Sequence, residues 1–267
     1  MRQQQPRRNL RQRGAPAVPA PSDGALRAAF ETAPSLAAHC VAAAWYVSRL
    51  PRDAGTLLDA MTGSGHLLVP LLEAGFNVHG ADSSETALRR CSARLEAAGR
   101  STQLFRQSIT ALNLPFRYGA AFMSGGAFQS LTHRAAALDA LLRIRAHLID
   151  PGLLLLDLFV PDEADHPPGA PIVELSMLAL ADGSQIARRS ETVIDVARRR
   201  SIVHSRFEQR DRTGVLARED DVREITWYAE DEIATLLDDA GYHDVRFEVL
   251  PARDGARARH YAVSART

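Results

Sequence analysis

Between residues 57 and 159 the apolar positions form short runs separated by stretches in which they recur every three or four residues. The run at 57–60 predicts a first strand, and the following pattern predicts a helix over 66–74 that Gly75 ends. A second strand spans 78–81, and Ser83-Ser84-Glu85 supplies N-cap chemistry for a helix that runs to Gly99. Runs at 103–106 and 119–123 predict strands three and four. Thr132 caps a helix through His147, and Pro151-Gly152 introduces a fifth strand over 153–159. Strands alternating with helices at this spacing predict a parallel sheet with right-handed crossovers. Upstream, helical spacing from Gly24 to Leu50 is split in two by Pro34.

After Pro161 the pattern changes. A Pro/Asp-rich loop covers 161–171, and the alternation from Glu174 to Thr226 carries turn signals at Asp182-Gly183 and Asp211-Arg212-Thr213-Gly214. It predicts three or four antiparallel strands, including 192–197, 201–208 and 219–227. A helix over 229–240, stopped by Gly241, and a hairpin of strands 245–250 and 260–264 close the chain.

The densest chemistry sits where the first strand stops. Asp59-Ala60-Met61-Thr62-Gly63-Ser64-Gly65 joins strand to helix through small residues, so backbone N–H groups can approach a ligand closely. Asp82, at the end of the second strand, is placed to accept hydrogen bonds from ribose hydroxyls. Two cofactors fit this arrangement, a dinucleotide and S-adenosylmethionine. The dinucleotide fingerprint wants a third small residue where Leu68 stands, and a large branched side chain there fits poorly.

Composition removes several alternatives. At 267 residues, 46% apolar and 24% charged, the chain suits one large soluble α/β domain. A net charge of zero argues against a nucleic-acid or membrane partner. No apolar run approaches the ~20 residues of a membrane-spanning helix; the longest, around Leu153 to Val160, is interrupted by Asp157. All 32 basic side chains are arginine, so mechanisms that need a lysine amine are excluded. Cys40 and Cys91 lack CxxC spacing and read as buried thiols in a reducing compartment, which points to the cytoplasm. The nine histidines show no HExxH pair, and no metal site is expected. Residues 1–22, with five arginines, four prolines and no acid, read as a disordered basic tail.

Leu58 to Ser84 resembles the first two motifs of class I S-adenosylmethionine-dependent methyltransferases. Tyr118-Gly119-Ala120-Ala121-Phe122-Met123-Ser124-Gly125-Gly126 is similar to their fourth-strand motif. His147-Leu148-Ile149-Asp150-Pro151-Gly152 resembles the turn that follows, and Leu236-Leu237-Asp238-Asp239-Ala240-Gly241-Tyr242 the end of the last helix. The resemblance implies a doubly wound, mostly parallel seven-stranded Rossmann-like sheet with an antiparallel last strand. Residues 23–267 would be a single methyltransferase domain, with 174–226 an antiparallel β insertion on the acceptor side. It further implies methyl transfer from S-adenosylmethionine to a small-molecule acceptor. A non-catalytic methyltransferase-like binding module and an NAD-dependent oxidoreductase are the alternatives.

The resemblance also assigns roles. Met61, Thr62, Gly63, Ser64 and Gly65 would face the methionine part of the cofactor, with Asp59 orienting that loop or accepting from the amino group. Asp82 would hold the ribose, Ser83 would stand beside the adenine, and Ser108 and Ile109 would border it. Ser124 and Gly125 would lie beneath the sulfonium, and Tyr46 would cover the cofactor. Three positions depart from the family pattern: Met61 stands near a usual glycine, Ser108 at a common adenine-binding aspartate, and Gly119 at a frequent aspartate. No catalytic residue is assigned; His133, beyond strand four, is a candidate base but reads more simply as a solvated helix-start residue. His204 and Arg206 read as the wet face of the insertion in preference to an acceptor pocket.

Overall fold

A computed structural model describes residues 24–31, 38–161, 171–250 and 258–267. The expected basic tail over 1–22 and the side chain of Cys40 lie outside the described residues. Seven strands form the main sheet in the order β3(Leu104–Arg106), β2(Asn77–Asp82), β1(Thr56–Ala60), β4(Tyr118–Met123), β5(Leu148–Pro161), β11(Ala258–Arg266), β10(His243–Val249). Every pairing among β1 to β5 is parallel, whereas β11 runs antiparallel to both β5 and β10. The last strand is thus inserted, reversed, between the fifth and sixth strands of the sheet, an arrangement that counts against the oxidoreductase alternative.

Helices cover both faces, which is why the strands read as continuous apolar runs rather than alternating ones. Successive strand residues go to opposite sides. Leu57, Ala120, Phe122 and Leu155 pack with α2(Ala38–Arg49), α3(Leu68–Glu73) and α4(Glu85–Ala97). Leu58, Ala121, Leu154 and Leu156 pack with α5(Arg134–His147) and α6(Glu230–Asp239).

Several boundaries differ from expectation. α3 begins at Leu68, not at residue 66, and Pro70 lies in its first turn, where its missing N–H costs nothing. α5 is capped by His133, whose side chain makes no capping bond, so Thr132 is not the cap. β5 starts at Leu148 because that residue pairs with Tyr118 before a register shift that carries Pro151-Gly152. The shift is pinned by the Gly152 N–H, which donates to Thr267 Oγ1 at 2.8 Å.

A second sheet is antiparallel throughout, in the order β6(Ile172–Ala179), β7(Gln185–Asp195), β8(Arg200–Asp211), β9(Gly214–Thr226). Its inner face is covered by α1(Ala25–Glu31): Leu26 and Phe30 pack on Ile186 and Phe207. The Leu26 N–H donates to Glu219 Oε2 at 2.7 Å, and Arg27 pairs with Asp221 at 2.8 Å. The outer face is wet; His204 and Arg206 are exposed there, Arg206 pairing with Asp220. β7 begins seven residues earlier than the expected 192–197 strand. Gln129 ties the two sheets together. Fully buried, its amide donates at 2.8 Å to Phe159 O at the end of β5 and to Thr226 O at the end of β9.

Candidate functional site: the crest of the parallel sheet

The loop after β1 is shaped by three residues in left-handed backbone, Met61, Gly63 and Gly65, and one close packing contact. Met61 (φ 67°) makes the turn in the conformation a glycine adopts freely, so the usual glycine's geometry survives its replacement. Gly65 (φ 78°) is constrained further: a Cβ there would fall 2.6 Å from Cys91 Sγ on α4. Burial pushes the Cys91 thiol up to about 12, so this group packs as an inert apolar neighbour.

Hydrogen bonds fix the loop from both acids. Thr62 Oγ1 donates to Asp59 Oδ2 at 2.8 Å, and the Thr62 N–H donates to Ala81 O at 2.9 Å. The Gly63 N–H donates to Asp82 Oδ2, and the Ser84 N–H to Asp82 Oδ1, both at 2.8 Å. Asp82 therefore links the first and second strand ends. Each carboxylate oxygen keeps acceptor capacity for a ligand.

Asp59 is 1% exposed, and its Oδ1 has no hydrogen-bond partner among the described residues. Burial raises its carboxyl to about 7, the charges of Asp82 and Asp157 add to that, and the Thr62 hydroxyl opposes it. An orphaned buried acceptor of this kind calls for a donor from a ligand.

Beside the loop lies a cavity of about 200 Å³ bounded by Met61, Asp82, Ser83, Ser108, Ile109 and Leu131. It brings together five of the residues that sequence reasoning named. Ile109 supplies an apolar wall, whereas the Ser108 hydroxyl lies 3.0 Å from Thr110 Oγ1. Gly119 has a packing reason for departing from the family aspartate: a Cβ would sit 1.9 Å from Ala54 O.

Ser124 and Gly125 line the other side of the crest, beyond β4, and do not border that cavity. The Gly125 N–H donates to both oxygens of Asp157 at 2.9 Å, with Gly125 at φ 67°. The same carboxylate accepts from Tyr46 Oη at 2.6 Å. Tyr46 is fully buried and braces this floor through Asp157. Burial and the neighbouring Asp157 charge drive its phenol far above the ordinary range, keeping it a donor. Sequence reasoning missed this brace, although Asp157 was visible as the acid interrupting an apolar run. Gln129 carried no such signal. His133 is exposed.

Residues 57–152 match the family model described as a methyltransferase domain. A putative methyltransferase from Geobacillus sp. (strain WCH70) is 30% identical over 115 residues, 43% of this chain and 47% of that protein. The chain thus spans about half the length of the curated relative it matches. Among solved structures, the sugar N-methyltransferase KedS8 from Streptoalloteichus sp. superposes with a TM-score of 0.73 at 19% identity, covering 95% of this chain and 98% of that one. DesVI from Streptomyces venezuelae gives 0.70 at 21%, covering 91% and 98%. CalS10 from Micromonospora echinaspora, an amino pentose methyltransferase with S-adenosylmethionine bound, gives 0.67 at 21%, covering 91% and 97%. The segment over 57–152 thus matches a methyltransferase domain, and the sheet that carries it shares the fold of these solved methyltransferases.

Proposed function

We propose that this chain binds S-adenosylmethionine at the crest of its parallel sheet and transfers the methyl group to a small-molecule acceptor. The observation that carries this reading is the set of three carboxylates at the crest. Asp82 is aimed at the loop, Asp59 is buried with an orphaned oxygen, and Asp157 lies under Gly125. A cationic cofactor is stabilised by such a surface, whereas the diphosphate of a dinucleotide would be repelled.

The residues present fit the cofactor. Asp82 would accept from the ribose hydroxyls, and Ser83, Ser108 and Ile109 would border the adenine in the adjoining cavity. Asp59 Oδ1 would accept from the amino group, and the 61–65 loop and Ser124-Gly125 would hold the methionine part. Bound there, the cofactor supplies an electrophilic methyl group. The protein contributes orientation: the Asp59–Thr62 and Asp82–Gly63 bonds hold the loop before the ligand arrives, which lowers the ordering cost of binding. Gly125 is fixed in the same way by Asp157 and Tyr46.

The remainder of the reading follows from placement. The unit over 23–267 acts as one methyltransferase domain, with the β6–β9 sheet as a wall on the acceptor side. The cysteine usage suits a cytoplasmic protein. No helix among the described residues is long and apolar enough to cross a membrane. Calorimetric titration tests the reading. Wild-type protein should bind S-adenosylmethionine saturably, and Asp82→Ala should weaken it by roughly tenfold or more, about 1.4 kcal/mol. Undiminished affinity in a folded Asp82→Ala protein would refute the ribose assignment. No detectable binding by the wild type would leave the non-catalytic module.

A further inference from the structure

A second cavity, of about 430 Å³, opens between the start of α5, the turn joining β7 to β8, and α6. Four arginines line it, Arg134, Arg198, Arg199 and Arg200, against one acid, Glu232. We propose that this cavity binds anionic oxygens, phosphoryl or carboxylate, and serves as the subsite for a negatively charged group on the methyl acceptor. The acceptor role rests on the function proposed above; the anion site itself does not.

The guanidinium groups are partly committed. Arg199 pairs with Glu232, Arg198 with Asp195 at 2.7 Å, Arg200 with Glu224 at 3.1 Å, and Arg134 with Asp239. Yet Asp195, Glu224 and Asp239 do not border the cavity, so its lining carries four positive side chains against one negative. The wall facing the ligand is therefore positive. Each guanidinium has five N–H donors in a planar fork, and one carboxylate partner leaves several unused. Arg200 is held in place by its second bond, to Thr132 O, and only 23% of its side chain is exposed. Groups converging from separate elements suit an oxyanion better than they suit a neutral ligand.

Position links the cavity to the crest. Leu131 borders the cofactor cavity and its neighbour Thr132 borders this one. Tyr228, also on the wall, places its hydroxyl 3.4 Å from Leu131 O. This segment therefore separates the cavity from the one assigned to the adenine, so an acceptor anchored here by its anion would lie beside the cofactor. The volume falls in the range of small-molecule sites.

The test is calorimetric titration of the full chain at low ionic strength with inorganic pyrophosphate and, separately, malonate. At least one should bind saturably, weaken as salt is added, and lose roughly tenfold or more affinity in the double variant Arg198→Gln, Arg199→Gln. Pyrophosphate alone would assign a phosphoryl group, malonate alone a carboxylate. The Arg198 side chain is 81% exposed and the Arg199–Glu232 pair is about half-exposed, so the variant should fold normally, as a thermal melt would verify. S-adenosylhomocysteine affinity should be unchanged in the variant. No saturable binding of either anion, or equal binding by the variant, would overturn the site. Loss of S-adenosylhomocysteine binding by the wild type in the same experiment would instead remove the function, leaving an anion site with another role.

Discussion

Tyr46 Oη lies 2.6 Å from Asp157 Oδ1, joining the helix before β1 to the middle of β5 across 111 residues of sequence. The same carboxylate receives the Gly125 N–H on both oxygens, so one buried acid fixes the loop after β4. Removing the phenol in Tyr46→Phe leaves that carboxylate short of a donor. The variant should lose about 1–3 kcal/mol of stability in a urea melt. Cofactor affinity should fall with it, through a displaced Gly125.

Asp59 should make stability depend on pH in an unusual direction. Its carboxyl stands near 7 in the folded chain against an ordinary 3.8, so the folded state binds more protons between those values. The Asp59 contribution to stability should therefore be largest below about pH 4, shrink as pH rises to about 7, and level off above it. Asp59→Asn should flatten this dependence and raise stability above pH 7 by up to about 4 kcal/mol, at about 1.4 kcal/mol per pH unit, with a higher melting temperature. Binding of a cationic cofactor should show the opposite trend, strengthening as Asp59 ionises. Thermal melts and titrations across pH 5 to 9 check both.

Gly65→Ala combines a left-handed φ with a Cβ 2.6 Å from Cys91 Sγ. It should cost roughly 1–3 kcal/mol. Adding Cys91→Ala removes the sulfur and should recover part of that loss, which a double-mutant cycle of denaturation midpoints would measure.

Gln129→Leu would strip two donors and one acceptor from the junction of β5, β9 and the turn after β4. Buried carbonyls left unpaired should lower stability by about 1–3 kcal/mol. Hydrogen exchange should quicken selectively near Thr226, since the second sheet would lose its tie to the first.

The parallel half of the fold was legible because strands buried on both faces leave unmistakable apolar runs, and Asp59, Gly63, Gly65 and Asp82 mark the strand ends. β7 was placed late because its sides look alike in sequence. Arg189 and Glu191 pair on the wet face, while buried Ser190 occupies the inner one. β5 was begun five residues late because Pro151-Gly152 reads as a turn but sits in a register shift between paired strands. The Tyr46–Asp157 brace and the Gln129 bridge depend on contacts between distant segments, for which one sequence has no local pattern. The arginine turn at 198–200 has no local pattern that marks a site; only the packing of α5 and α6 beside it makes a cavity there.

The most direct measurement is a crystal structure of the full chain with S-adenosylhomocysteine. The account predicts ribose hydroxyls on Asp82, adenine in the cavity bordered by Ser83, Ser108 and Ile109, and the amino group within hydrogen-bond reach of Asp59 Oδ1. An empty crest at saturating ligand, or a ligand bound away from Asp82, would contradict it.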